Sequence, residues 1–153
     1  MSYKATFFAA WMTLSFSLLA AEADAASCLN QIPVLNGQTA QAVSTSGDFT
    51  ADTAGWKVFD DKTSRSSRWL SESGVTPAWV AYDFQHLRLI PRYSITSAGG
   101  ELVSRSPKDF ELQGWDGEIW VTLDRRTGET AWAWNETRSY MVQTPGSYSR
   151  YRL

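Results

Sequence analysis

Apolar and polar residues alternate most regularly between Ser106 and Asp124. Phe110, Leu112 and Gly114 fall on one side of a period of two and Asp109, Glu111 and Gln113 on the other, which predicts a strand with one buried face. Asp116-Gly117 then predicts a tight turn, because Gly takes positive φ freely and Asp tolerates it better than most residues. Ile119 to Leu123 returns as the second strand. Pro107 stands just ahead of the first, where its missing N–H costs no ladder bond. This hairpin reads as scaffold, with Phe110, Leu112 and Trp120 in the core and Arg105 on the rim at its entry.

The other segments are shorter. A strand is expected near Ala40 to Ser44, followed by a polar loop as far as Asp52. Thr53 to Asp60 reads as a single helical turn, in which Trp56 and Phe59, three apart, share a face. A second polar loop, Asp60 to Arg68, ends at Trp69. Ala78 to Phe84 and Leu87 to Thr96 are strand-like, with Gln85 and His86 at the turn between them. Pro91 demotes the second of these to an edge or a bulge. Arg138 to Gln143 and Tyr148 to Leu153 close the pattern around a Pro145-Gly146 turn. No helical period runs beyond a turn or two, and short strands between Gly, Pro and Ser loops mean an all-β sandwich or barrel.

The N-terminus has a different character. Lys4, an apolar run from Ala5 to Ala21 and the small residues Ala23 and Ala25 form a secretory signal peptide over 1–25, which implies a secreted or periplasmic protein. The run is shorter than the about 20 apolar residues of a membrane span, so no transmembrane segment is expected after cleavage. Residues 26–36 read as a lead-in and 37–153 as the domain.

Composition excludes several functions. The net charge of −2, with no run of Lys or Arg, argues against nucleic acid or an acidic membrane as partner. His86, the single histidine, is expected at the surface. With Cys28 as the single cysteine, His-rich and Cys-rich zinc sites fail on ligand count. Cys28 itself implies a free thiol or a pairing outside the chain. A nucleophile elbow and a phosphate-binding glycine loop are both absent, so the chain reads as non-enzymatic. Composition alone leaves a two-carboxylate glycosidase open. Phe49 is the one large apolar residue of its polar loop and has two open roles, tucked onto the core or offered to a ligand. Asn135-Glu136-Thr137 is an N-glycosylation acceptor sequence, meaningful in a eukaryotic secretory pathway.

Several pieces resemble a known family when read in order: Gly55-Trp56-Lys57-Val58-Phe59-Asp60 with Arg68-Trp69, then Trp79 to Phe84, then Ser106 to Gly114 with Asp116-Gly117 and Trp120. Glu129, Arg138 and Tyr148 to Leu153 complete the set. Together they resemble the discoidin domain, also called the coagulation factor 5/8 type C domain. The resemblance implies a galactose-binding-like β-sandwich that binds glycans or other cell-surface groups through loops at one end, as a carbohydrate-binding or adhesion module. It implies ligand contacts at Asp48, Glu72 and Arg105, to which Phe49 would add a stacking face. It also implies one structural calcium ion, held by Asp60 and Ser67 side chains and by carbonyls of Lys57 and Lys62. The Asn common in sugar binders is missing from Ala98-Gly99-Gly100, which favours the alternative of a protein or matrix interaction domain without a sugar site. In the family a further strand with a calcium-binding Glu follows the position of Leu153, so a module lacking its closing strand, with an adjoining domain missing, is expected.

Overall fold

The computed structural model describes residues 32–37, 40–62, 64, 66–97 and 100–153. The expected signal peptide and Cys28 lie outside the described residues. Residues 32–153 form one compact unit. Among the described residues, no helix is long and apolar enough to cross a membrane.

Among the described residues, seven strands carry the fold: β1 (Val43–Thr45), β2 (Val80–Leu89), β3 (Arg92–Thr96), β4 (Phe110–Trp115), β5 (Trp120–Arg126), β6 (Thr137–Met141) and β7 (Ser147–Arg152). Five of them form an antiparallel sheet in the order β1-β2-β7-β4-β5, and β3 pairs with β6 in a two-stranded sheet. The all-β expectation therefore holds, as a sandwich. Short 3-10 helices at Ala51–Thr53, Gly55–Phe59 and Gly100–Arg105 occupy the connections. The first two take the place of the single helical turn expected at Thr53 to Asp60, and Phe59 packs edge-on against Tyr82 at 5.3 Å.

The hairpin forms around the expected Asp116-Gly117 turn, with Trp115 opposite Trp120 and the Asp116 carboxylate accepting from the Glu118 and Ile119 amides at 2.8 Å. Leu112 and Gly114 are buried. Gly114 has no room for a side chain, because a Cβ there would run into the Tyr148 ring. Leu112 joins Leu123, Val142 and Tyr151 in a core cluster between the layers. Trp120 departs from expectation. It lies on the other face of the sheet, tilted against Trp115, with the Arg152 guanidinium 4.4 Å above its ring. Alternation decides this, since Trp120 shares its face with Thr122, opposite the buried Leu123.

Gln85 and His86 are also not a turn. β2 runs through them, and Gln85 at φ 61° marks an irregularity where the pairing with β7 shifts between Asp83 and Arg88. The chain changes sheets at Ile90-Pro91 instead, where a residue without an N–H interrupts no ladder. His86 is exposed, as expected. β7 lies between β2 and β4, and Leu153 exchanges backbone hydrogen bonds with Val80 in both directions at 3.0 Å.

One polar network joins the two sheets. Asp124, 1% exposed, accepts from the Tyr93 hydroxyl of the opposite sheet at 2.6 Å and from Arg126 at 2.8 and 3.0 Å. Arg126 also donates to the Met141 carbonyl at 2.8 Å and lies 5.1 Å from the Tyr140 ring centre. Burial pushes the Asp124 carboxyl up, but its hydrogen bonds from Arg126 and Tyr93 outweigh that and hold it below the ordinary range. Burial, together with the hydrogen bond to Asp124, drives the Tyr93 hydroxyl well above its usual value.

Tyr93→Phe is expected to cost about 1–3 kcal/mol by removing a donor from a buried carboxylate, read as a lower urea midpoint at unchanged slope. A carboxyl with a depressed folded pKa stabilises fully above its unfolded value and loses that contribution as pH falls through the folded one. The stability of Asp124→Asn is therefore expected to fall less steeply than the parent's below about pH 4 in acid unfolding curves.

Candidate functional site

The strand directions gather the long connections at one end. β1 finishes at Thr45 beside the start of β2 at Val80, β7 finishes beside Ala81, and β4 begins and β5 finishes beyond that point. Residues 46–79, 97–109 and 127–136 all meet the sheets at this end.

Asp48, Phe49 and Glu72 come together there. Asp48 bridges to Ser71, the Phe49 amide donates to the Leu70 carbonyl at 2.9 Å, and the Glu72 amide donates to Gly47 at 3.2 Å. The Glu72 side chain lies over Gly47, where an added Cβ would fall 2.7 Å from Oε2. Phe49 is 57% exposed. Of the two roles left open for it, the structure therefore shows the ring presented to solvent.

Asp48 has a second occupation. Its Oδ1 accepts from the Thr45 hydroxyl at 3.1 Å, the Gly55 amide at 3.1 Å and the Trp69 indole at 2.9 Å. These donors come from the end of β1, the 3-10 helix and the Arg-Trp pair, so one oxygen fixes three segments. Oδ2 takes no hydrogen bond among the described residues. Beside Asp48 lies a shallow cavity of about 220 Å³, bordered by Thr45, Gly55 and Trp56. The partnership of Thr45 and Trp69 with Asp48 has no signal in the sequence, since the three are joined only by the fold.

Arg105 is exposed at the end of the Gly100–Arg105 helix, and no contact joins it to Asp48 or Glu72. It leads into β4, three strands from β1, which is about 14 Å at the usual strand spacing. A second cleft of about 340 Å³ lies next to it, bordered by Ser106, Lys108, Glu129, Thr130 and Trp132. Arg138 braces the 129–136 side of this cleft. It stacks 4.1 Å from the Trp132 ring, pairs with Glu129 and Glu136 at 2.8 Å, and donates to the carbonyls of Thr130 and Ala131 at 3.1 and 3.2 Å. The Glu136 carboxyl is held below its usual range by the hydrogen bond from Arg138. Trp134 on the same loop is 67% exposed, and the adjoining Asn135 is also exposed.

Two of the residues expected at calcium also converge. Asp60 is 3% exposed, its Oδ1 accepts from the Lys62 amide at 3.0 Å, and its Oδ2 accepts from the Ser67 hydroxyl. Asp61 takes the left-handed conformation at φ 56° that the turn requires. The Lys57 ammonium donates to the Asp52 carbonyl at 2.5 Å, across the neck of the loop. A buried carboxylate beside a hydroxyl fits a hard cation, as part of the six to eight oxygens that calcium takes. No cluster of three or more His, Cys, Asp or Glu side chains suited to a metal occurs among the described residues.

Known structures resemble this arrangement of strands. A Clostridium perfringens family 32 carbohydrate-binding module solved with galactose superposes at a TM-score of 0.54 and 12% identity, covering 72% of this chain and 77% of that one. The fold is the galactose-binding-like, discoidin-type β-sandwich. A second C. perfringens module of this fold, solved with GalNAc-β-1,3-galactose, gives a TM-score of 0.58 at 9% identity over 72% of this chain and 79% of that one. A chitosan-binding module from a Paenibacillus chitosanase/glucanase, solved with chitotriose, gives 0.54 at 19% identity over 72% and 79%. No family model matches the chain. A peptide-N(4)-(N-acetyl-β-glucosaminyl)asparagine amidase of Arabidopsis thaliana is 28% identical over 86 residues, 54% of this chain and 12% of that protein.

Substitutions at Asp48 separate its two occupations. Asp48→Ala removes the acceptor of three donors and is expected to cost about 1–3 kcal/mol, with a change in Trp69 fluorescence. Asp48→Asn keeps an oxygen at the clamp and is expected to hold most of that stability in thermal unfolding.

Proposed function

We propose that this chain is a secreted, non-catalytic carbohydrate-binding module, and that it takes its ligand on the loop end of the discoidin-type sandwich. The observation that carries this reading is the grouping of Asp48, Phe49 and Glu72: an aromatic face 57% exposed, flanked by two exposed carboxylates, on loops that a buried scaffold holds still. Carboxylates accept from sugar hydroxyls, and an aromatic ring offers a face to the apolar side of a pyranose. Arg105 lies at the same end but about 14 Å along the sheet, outside this group. The neighbouring folds solved with galactose, GalNAc-β-1,3-galactose and chitotriose support the same ligand class. So does the curated relative, whose named substrate is a glycan-bearing asparagine.

Binding to an immobilised glycan panel is the test. A hit whose affinity falls roughly tenfold or more in Phe49→Ala, and also falls in Glu72→Gln, with thermal unfolding unchanged, is the expected result. Glycan-independent capture of one protein partner, with no glycan bound, would replace this reading by that of a protein or matrix interaction domain.

Calcium enters the reading as a structural ion on Asp60 and Ser67, with carbonyls of Lys57 and Lys62 completing its oxygens. It would brace the loop that ends at Trp69. Millimolar calcium added to chelated protein is expected to raise Tm, and Asp60→Asn is expected to abolish the rise.

A further inference from the structure

The cleft beside Arg105 has its own chemistry. Its walls come from two segments that bond to each other: the Glu129 amide donates to the Lys108 carbonyl at 2.9 Å, and the Trp132 indole donates to the Pro107 carbonyl at 3.2 Å. The cavity is therefore built into the fold and does not depend on one loose loop. At about 340 Å³ it falls within the range of small-ligand pockets, roughly 300–1,000 Å³.

Its charges are unequally matched. The Glu129 carboxylate is paired with Arg138 at 2.8 Å, which it shares with Glu136, and it also accepts from the Tyr140 hydroxyl at 3.2 Å. The Lys108 ammonium has no hydrogen-bond or ion-pair partner among the described residues, nor has Arg105, three residues earlier. Ser106 Oγ is buried at the cavity wall with no partner, and a χ1 rotation would offer it to an occupant. Thr130, with its hydroxyl, and the largely buried Trp132 also line it. Hydroxyls and an uncompensated ammonium suit a polar ring that carries negative charge.

We propose that this cleft is a second saccharide site, distinct from the Asp48, Phe49 and Glu72 group, and that it takes a carboxylate-bearing sugar. Lys108 supplies the counter-charge, Arg105 draws the anion from the rim, and Ser106 and Thr130 bond the ring hydroxyls. The ammonium of Lys108, unpaired among the described residues, discriminates against a cationic amino sugar. This inference extends the carbohydrate reading to new residues and a new ligand class, and it can fail while that reading stands.

The test is an amide NMR titration of the full chain with the methyl glycoside of galacturonic acid as its sodium salt, carboxylate unesterified, and with methyl glucosaminide as the cationic control. Galacturonate is expected to shift the amides of Ser106, Lys108, Thr130 and Trp132 saturably. Lys108→Ala and Lys108→Glu are expected to weaken it roughly tenfold or more, while Phe49→Ala leaves it unchanged. The exposed Lys108 side chain carries no structural bond, and the backbone carbonyl that anchors Glu129 survives both substitutions. The proposal is overturned if galacturonate leaves these amides unmoved, if glucosaminide binds equally well, or if Lys108→Glu binds like the parent. Loss of the shifts in Phe49→Ala would overturn the separateness of the two sites. Failure of the carbohydrate reading itself is read separately, from Phe49→Ala on the glycan panel.

Discussion

The buried carboxylate of Asp124 sets the terms for this sandwich. A charge in that position is costly unless it is paired and hydrogen-bonded, and here its donors arrive from both layers. Tyr93 reaches it from β3 and Arg126 from its own strand, while Arg126 continues to the carbonyl of Met141 on β6. A two-stranded sheet is marginal on its own. This network and the Tyr93, Tyr140 and Phe110 rings around it give that sheet a fixed seat on the larger one. A shift of β3 by one residue would move Tyr93 to the outer face and strand the carboxylate.

The same device recurs among the loops. Asp48 gathers three segments through one oxygen, Asp60 closes its turn through two, and Arg138 holds its loop through two carboxylates and two carbonyls. In each case a polar side chain replaces the strand pairing that loops lack. The groups left outward, Phe49, Glu72, Arg105, Lys108 and Trp134, are then presented on an ordered support. A preorganised surface loses less entropy when it binds a ligand.

Much of the scaffold was legible in the sequence because alternation and turn chemistry are local. The β4–β5 hairpin needed no more than Phe110, Leu112, Gly114 and Asp116-Gly117. Trp120 was misplaced because an aromatic residue suggests burial, whereas its parity with Thr122 places it on the outer face beneath Arg152. The pair Gln85 and His86 looked like a turn because polar residues interrupt two apolar runs, but a bulge produces the same pattern within one strand. Of the expected ligand residues, Asp48, Phe49 and Glu72 lie together, while Arg105 stands beside a different cleft. Sequence order carries no information about that separation, since it depends on β2 and β7 being inserted between β1 and β4.

That insertion has a temporal consequence. β7 follows β1, β2, β4 and β5 in the chain, yet it occupies the middle of their sheet. Until residues 147–152 have left the ribosome, the β1–β2 pair and the β4–β5 hairpin have no strand to join them, and the inner edges of β2 and β4 stay open. Contacts of such long sequence separation make folding slow, and open strand edges invite pairing with other chains. A nascent form of this protein is therefore most exposed to misassembly after β2 and β4 have been made and before the strand that covers their inner edges arrives.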